Sequence, residues 1–152
     1  MNWGQAVKIG FAAVAGFLSN IFGGFDAWFY TLVVFVIIDY ITGVAKALMS
    51  KSEKTEKGGL DSRVMFRGGI KKILIFVVVA VAAQLDRVMG GGNTIRAIAI
   101  GYYVANEGLS ALENIALCGV AVPAPLLSAL EQLKGKNDDK NIKNNNEKSE
   151  DK

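Results

Sequence analysis

Asp39 sits inside the apolar run Phe29-Tyr-Thr-Leu-Val-Val-Phe-Val-Ile-Ile-Asp39-Tyr-Ile-Thr-Gly-Val-Ala-Lys46. A second set of polar residues, Asn106, Glu107, Ser110, Glu113 and Asn114, lies in the otherwise apolar stretch 94–117. Acids and amides in such surroundings are costly and mark a candidate functional site. The types present do not make a catalytic set. The chain has no histidine, the commonest general base and metal ligand, and a single cysteine, Cys118. No phosphate-cradling glycine motif is found. No catalytic residue, metal site or cofactor is expected. What these groups can do is pair charges and share hydrogen bonds in a low dielectric. That points to pores, channels, transporters and helix interfaces rather than to soluble enzymes.

At about 100° per residue, the stretch 94–117 divides into faces. Arg96, Tyr103, Glu107, Ser110 and Asn114 share one stripe, flanked by Asn106 and Glu113. Ala97, Gly101, Ala105 and Gly108 make a small-residue face that permits close helix approach. Ile98, Tyr102 and Leu109 make an apolar face. A helix of this kind can touch water, another helix and lipid at once, in a pore or an oligomer interface. It can also lie on the membrane surface with its polar face to solvent. Asp39 has two readings as well. It can take part in oligomer or pore formation, or be a static group that snorkels or pairs with Lys46 two turns away.

The elements that must position these residues follow from composition. The chain has 152 residues, of which 51% are hydrophobic, gathered in blocks. This predicts an all-α integral membrane protein with three or four transmembrane helices. A first segment, 6–22, is long enough to span. It could also be a signal peptide cut after Ala13-Val14-Ala15, or an interfacial helix. After the turn Gly23-Gly24-Phe25-Asp26 comes the strongest span, 27–45, with Trp28 and Tyr30 as interfacial anchors. A third, short span is expected over 73–85, extending back to Gly68 if its lysines snorkel. Asp61-Ser62 reads as the helix start before it. Asp86-Arg87 and Gly90-Gly91-Gly92-Asn93 read as a turn, followed by the 94–117 helix, with Gly43, Gly101 and Ala105 as helix-packing positions. Gly119 and Pro123-x-Pro125 end that helix. A short amphipathic helix carries Leu126, Leu127, Leu130 and Leu133 on one side. The division expected is a membrane-embedded domain, 1–133, and a tail, 134–152, of Lys, Asn, Asp and Glu, which cannot bury enough surface to order itself.

The region 46–72 holds eight basic residues, Lys46, Lys51, Lys54, Lys57, Arg63, Arg67, Lys71 and Lys72. By the positive-inside rule it is cytoplasmic, and with four spans both termini are too. The patch has one interleaved aromatic, Phe66, and no series of them, so it reads as a topology signal facing anionic lipid and not as a nucleic-acid site.

Several of these residues form a recognisable order. Asp39-x-x-Thr42-Gly43-x-x-x-Ala47, Lys51, Ser52, Gly58-Gly59 and Arg67-Gly68-Gly69-Ile70-Lys71-Lys72 resemble the toxin-secretion/phage-lysis holin family. So do Asn106-Glu107-x-Leu-Ser110-x-Leu-Glu113-Asn114, Cys118-Gly119 and Pro123-x-Pro125-Leu. The resemblance covers roughly residues 30–135. It departs from the family at Gly119-Val-Ala-Val-Pro123, which carries two extra residues, and the first span lies outside it. It implies a small phage or prophage protein of the bacterial cytoplasmic membrane that forms homo-oligomers and opens lesions. An endolysin or a toxin would pass through without direct contact, for host cell lysis or secretion. The family offers no catalytic residue. The rival readings are a small ion channel or transporter, and a non-pore membrane scaffold.

Overall fold

The computed structural model describes residues 2–52 and 59–135, and all regular elements among them are helices. Four are long: α1 Trp3–Phe22, α2 Ala27–Leu48, α3 Ser62–Met89 and α4 Thr94–Leu117. A fifth, α5, covers 124–135. The ends are set locally. Gly23 takes the left-handed conformation (φ +74°) that closes α1, a backbone angle that costs glycine little. Asp26 caps α2 by accepting from the Phe29 amide at 2.9 Å. Asp61 caps α3 by accepting from the amides of Arg63 and Val64, so the predicted helix start is borne out. The α4 boundaries also match those read from the sequence.

One expected turn is corrected. Asp86 and Arg87 do not leave the helix, because α3 runs on to Met89 and closes at Gly90 (φ +67°). Both side chains have helix-end partners. Arg87 donates to the Asn20 side chain at 2.8 Å and to the Asn20 carbonyl, near the end of α1. Asp86 accepts from the first amides of α4. Helix carbonyl ends and amide ends attract these opposite charges.

α2 packs chiefly on α4, and α3 also packs on α4. Leu32, Val79 and Ile100 are fully buried at the centre, with Phe29, Val36, Ile75 and Val104 around them. Phe22, Phe25, Phe29 and Phe76 form an aromatic group where α1 ends, α2 starts and α3 passes. α1 lies beside α3 and buries none of its own residues. Large apolar side chains such as Phe11, Phe17, Ile73 and Leu74 face outward. By length and composition, α1 and α2 are apolar enough to cross a bilayer, and the outward apolar surface suits lipid. In lipid the hydrophobic effect does not hold helices together; packing and interhelical polar contacts must.

The basic region divides. Lys51 and, on the first turns of α3, Arg63, Arg67 and Lys71 are exposed, whereas Lys72 turns inward. Lys54 and Lys57 lie outside the described residues. So does the predicted disordered tail, except Lys134 and Gly135, which end α5. Of the leucines placed on one side of α5, Leu127, Leu130 and Leu133 are half-buried, and Leu126 is 51% exposed.

Candidate functional site

α2, α3 and α4 each place a polar side chain at the same depth. Lys72 of α3 donates to Asp39 Oδ2 of α2 at 2.5 Å and to Glu107 Oε2 of α4. The second Asp39 oxygen accepts from Asn114 Nδ2 at 3.2 Å, and Asn114 also reaches the Thr42 hydroxyl at 3.4 Å. Thr42 donates back to the Asp39 carbonyl at 3.0 Å. Asp39, Glu107 and Asn114 are all buried. Gly43 adjoins this group: a Cβ there would stand 3.7 Å from Asn114 Nδ2, in ordinary contact. Gly101 and Ala105, the other packing positions, are buried on α4.

The helix periods explain the meeting. Asp39 and Thr42 are three apart on α2, and Glu107 and Asn114 are seven apart on α4, so each pair shares one face. Lys72 is the residue where the basic start of α3 gives way to its apolar run. The static partner expected for Asp39, Lys46, is not the one found; Lys72 occupies that place. One ammonium thus serves two carboxylates. Charges so placed must be paired to be tolerated, and deleting one partner strands the others.

Above the cluster opens a cleft of about 350 Å³, lined among others by Lys46, Ser52, Asp61, Lys72, Ser110 and Asn114. It lies at the end of the bundle where α2 stops and α3 begins, the basic end. The remaining stripe residues separate from the cluster. Asn106 is half-buried, and Glu113 is exposed. Among the described residues, no group of histidine, cysteine or carboxylate side chains could hold a metal ion.

At the opposite end, the turn end, Arg96 is almost wholly buried, with 2% exposure. Its guanidinium donates to the Phe22 carbonyl (2.6 Å), the Gly24 carbonyl (2.8 Å) and both Asp26 oxygens (2.7 and 3.2 Å). The Arg96 hydrogen bonds hold the Asp26 carboxyl below its usual value. Gly23 leaves room for this: a Cβ there would stand 2.9 Å from Arg96 Cδ. The sequence placed Arg96 on the polar stripe but not its partners, which lie about 70 residues away. A lone arginine in an apolar helix beside a turn acid was the available signal.

Comparison with known proteins places this architecture. A protein named "Probable holin" from Bacillus phage phi105 is 38% identical over 112 residues, 74% of this chain and 78% of the relative. An uncharacterised protein of Clostridium perfringens strain 13 is 42% identical over 132 residues, 86% of this chain and 93% of its own. One from Listeria innocua is 37% identical over 135 residues, 89% of each. No solved structure matches. Residues 16–135 match the bacteriophage holin family. That range includes α2, α3, α4, α5 and both polar clusters, and the chain belongs to this family.

Proposed function

We propose that the chain is a holin with three or four membrane-crossing helices, which assembles in the bacterial cytoplasmic membrane and opens lesions there. The observation that carries this reading is the Lys72–Asp39–Glu107–Asn114 cluster. By composition alone, α3 and α4 are poor spans. With these charges paired inside one chain, and Arg96 paired at the turn end, both can enter lipid beside α2. Few polar groups are then left over: Asn106 and Glu113 on α4, with Ser110 at the cleft. Lipid contact is unfavourable for them, and sharing them between copies or with water favours the assembled state. Assembly then follows mass action. Homo-oligomers form as the protein accumulates, and polar surface lines the lesion. The reading is non-enzymatic. An endolysin or a toxin is the passenger and needs no direct contact.

The exposed Lys51, Arg63, Arg67 and Lys71 would face anionic lipid on the cytoplasmic side. This orientation puts the basic end and both termini inside if α1 also spans.

The test is inducible expression beside a cytoplasmic endolysin that lacks its own export signal. Abrupt lysis is expected once the protein has accumulated. Continued growth with abundant membrane-integrated protein would sink the lysis reading. Loss of ions while a folded cytoplasmic protein stays inside would favour a narrow channel.

A further inference from the structure

The cleft above the Lys72 cluster is lined by polar groups that the cluster does not use. Ser52 is the clearest of them. It is only 9% exposed, and among the described residues its hydroxyl has no hydrogen-bond partner. A buried hydroxyl without a partner is disfavoured and rare. The chain is turned to put it there. Ser50 takes the left-handed conformation (φ +55°), uncommon for a residue with a Cβ, and the Lys51 amide donates back to the Lys46 carbonyl at 3.0 Å.

Lys46 and Lys71 line the same cleft, and neither has an ion-pair partner among the described residues. Three carboxylates line it too, but each is engaged. Asp39 and Glu107 accept from Lys72, and Asp61 caps α3. The lysines left over are those nearer the surface. Lys46 is seven residues beyond Asp39, about 10 Å closer to the end of α2. Lys71 is exposed, on a flexible stem that can turn its ammonium outward. Val44, Val64 and Met65 give the cleft an apolar wall. Uncommitted positive charge, a buried hydroxyl and an apolar wall at the end of two helices fit one chemical class, a phosphate attached to an acyl glycerol. Basic pockets between spans on the cytoplasmic side take such headgroups.

We infer that this cleft binds the phosphodiester headgroup of one anionic lipid, with Lys46 and Lys71 pairing its charge and Ser52 donating to a phosphate oxygen. The lipid ties the end of α2 to the first turns of α3 beside the shared Lys72 ammonium. This is more than attraction to a charged surface, because Lys51, Arg63 and Arg67 at the same end do not line the cleft. The inference rests on the membrane insertion proposed above, but not on the opening of a lesion.

The test is native mass spectrometry of the full chain in detergent micelles, titrated with phosphatidylglycerol. One lipid should be retained. Phosphatidylcholine, whose ammonium offsets the phosphate charge, should bind about tenfold more weakly. Equal retention of the two lipids overturns the inference. Lys46→Gln with Lys71→Gln should lose most of the retention, while Arg63→Gln with Arg67→Gln, which removes the same charge outside the cleft, should keep it. Equal loss in both pairs would mean a charged surface without a site. Ser52→Ala alters no charge and should weaken binding about tenfold, the order of one hydrogen bond to a charged group. Parental affinity in that variant overturns the inference as well. Soluble glycerol phosphate at the same concentration should not displace the lipid; displacement would assign the cleft to a soluble phosphate compound instead. All arms read binding in micelles, so they can fail while the expressed protein still lyses cells, and succeed where lysis fails.

Discussion

Two polar clusters tie this bundle together, one near each end, and they are built differently. At the turn end, Arg96 uses its planar fork on two backbone carbonyls and one carboxylate, while Asp86 takes the first amides of α4. Backbone ends are fixed, and a guanidinium matches them in a set geometry. At the basic end, Lys72 and Asn114 donate only to side chains, the cation is a flexible lysine, and one ammonium faces two carboxylates beside an open cleft. The first arrangement has one good solution. The second can be rearranged by moving side chains alone. The turn-end cluster is thus suited to hold the fold, and the basic-end cluster to change.

The largest effect should come from removing the shared cation. Lys72→Met strands Asp39 and Glu107 together, and loss of one partner of a buried pair costs about 3–5 kcal/mol. Membrane abundance should fall sharply. Adding Asp39→Asn and Glu107→Gln should restore most of it, since no buried charge remains. If the triple variant is as scarce as Lys72→Met, the lysine acts through its packing and not its charge.

Arg96→Lys tests the other cluster. It keeps the charge and loses the fork, leaving the Phe22 or Gly24 carbonyl without its donor. A lost hydrogen bond of this kind costs about 1–3 kcal/mol. Thermal unfolding in detergent should show the drop, with no restoration from altering Asp26, because backbone groups are the partners. Full restoration by Asp26→Ala would show that the pairing of charges, rather than the backbone clasp, matters at this end.

Much of this was legible before the structure. Asp39 announced itself by its surroundings, and the α4 boundaries and polar stripe followed from turn residues and the helix period. The partners were not legible. A helical wheel shows that Glu107 and Asn114 share a face, but not that the face meets α2 and α3 of the same chain. Lys72 sits 33 residues from Asp39 and read as one more basic residue at a membrane surface. Asp86-Arg87 read as a turn because charges followed an apolar run. Their use as ligands for neighbouring helix ends is a tertiary fact. α5 was legible as an amphipathic helix, but the close approach of its Leu130 to Gly108 depends on how α2 and α4 lie side by side.

Glu107→Leu sharpens the comparison with a smaller change in stability. It leaves Lys72 paired with Asp39, one cation to one carboxylate. It also removes an acid that costs roughly 2–3 kcal/mol at a span centre on the translocon scale. Insertion should be intact or better. If the basic-end cluster rearranges when subunits assemble, crosslinking should show fewer high oligomers, and lysis should be delayed at equal abundance. Parental timing and an unchanged oligomer ladder would make this cluster as static as the one around Arg96.

The smallest effect is expected from acid at the turn end. The Arg96 hydrogen bonds are the main cause that holds the Asp26 carboxyl below its ordinary value of 3.8. A group whose folded value is depressed stabilises the fold above its unfolded value, and that contribution is lost as pH falls through the folded one. The contact should therefore contribute fully at neutral pH and fade only below about 3.8. Its size is limited because the Asp26 side chain is 46% exposed, so water competes for the carboxylate and screens the charge. Asp26→Asn isolates the effect, since every other titrating group is common to both proteins. In detergent, the variant should melt slightly below the parent at neutral pH, and the two curves should converge as the solution is acidified. A gap that stays constant through the acid range would mean that Asp26 serves as a helix cap through its hydrogen bond to Phe29, which asparagine also makes less well, and not as the counter-charge of Arg96.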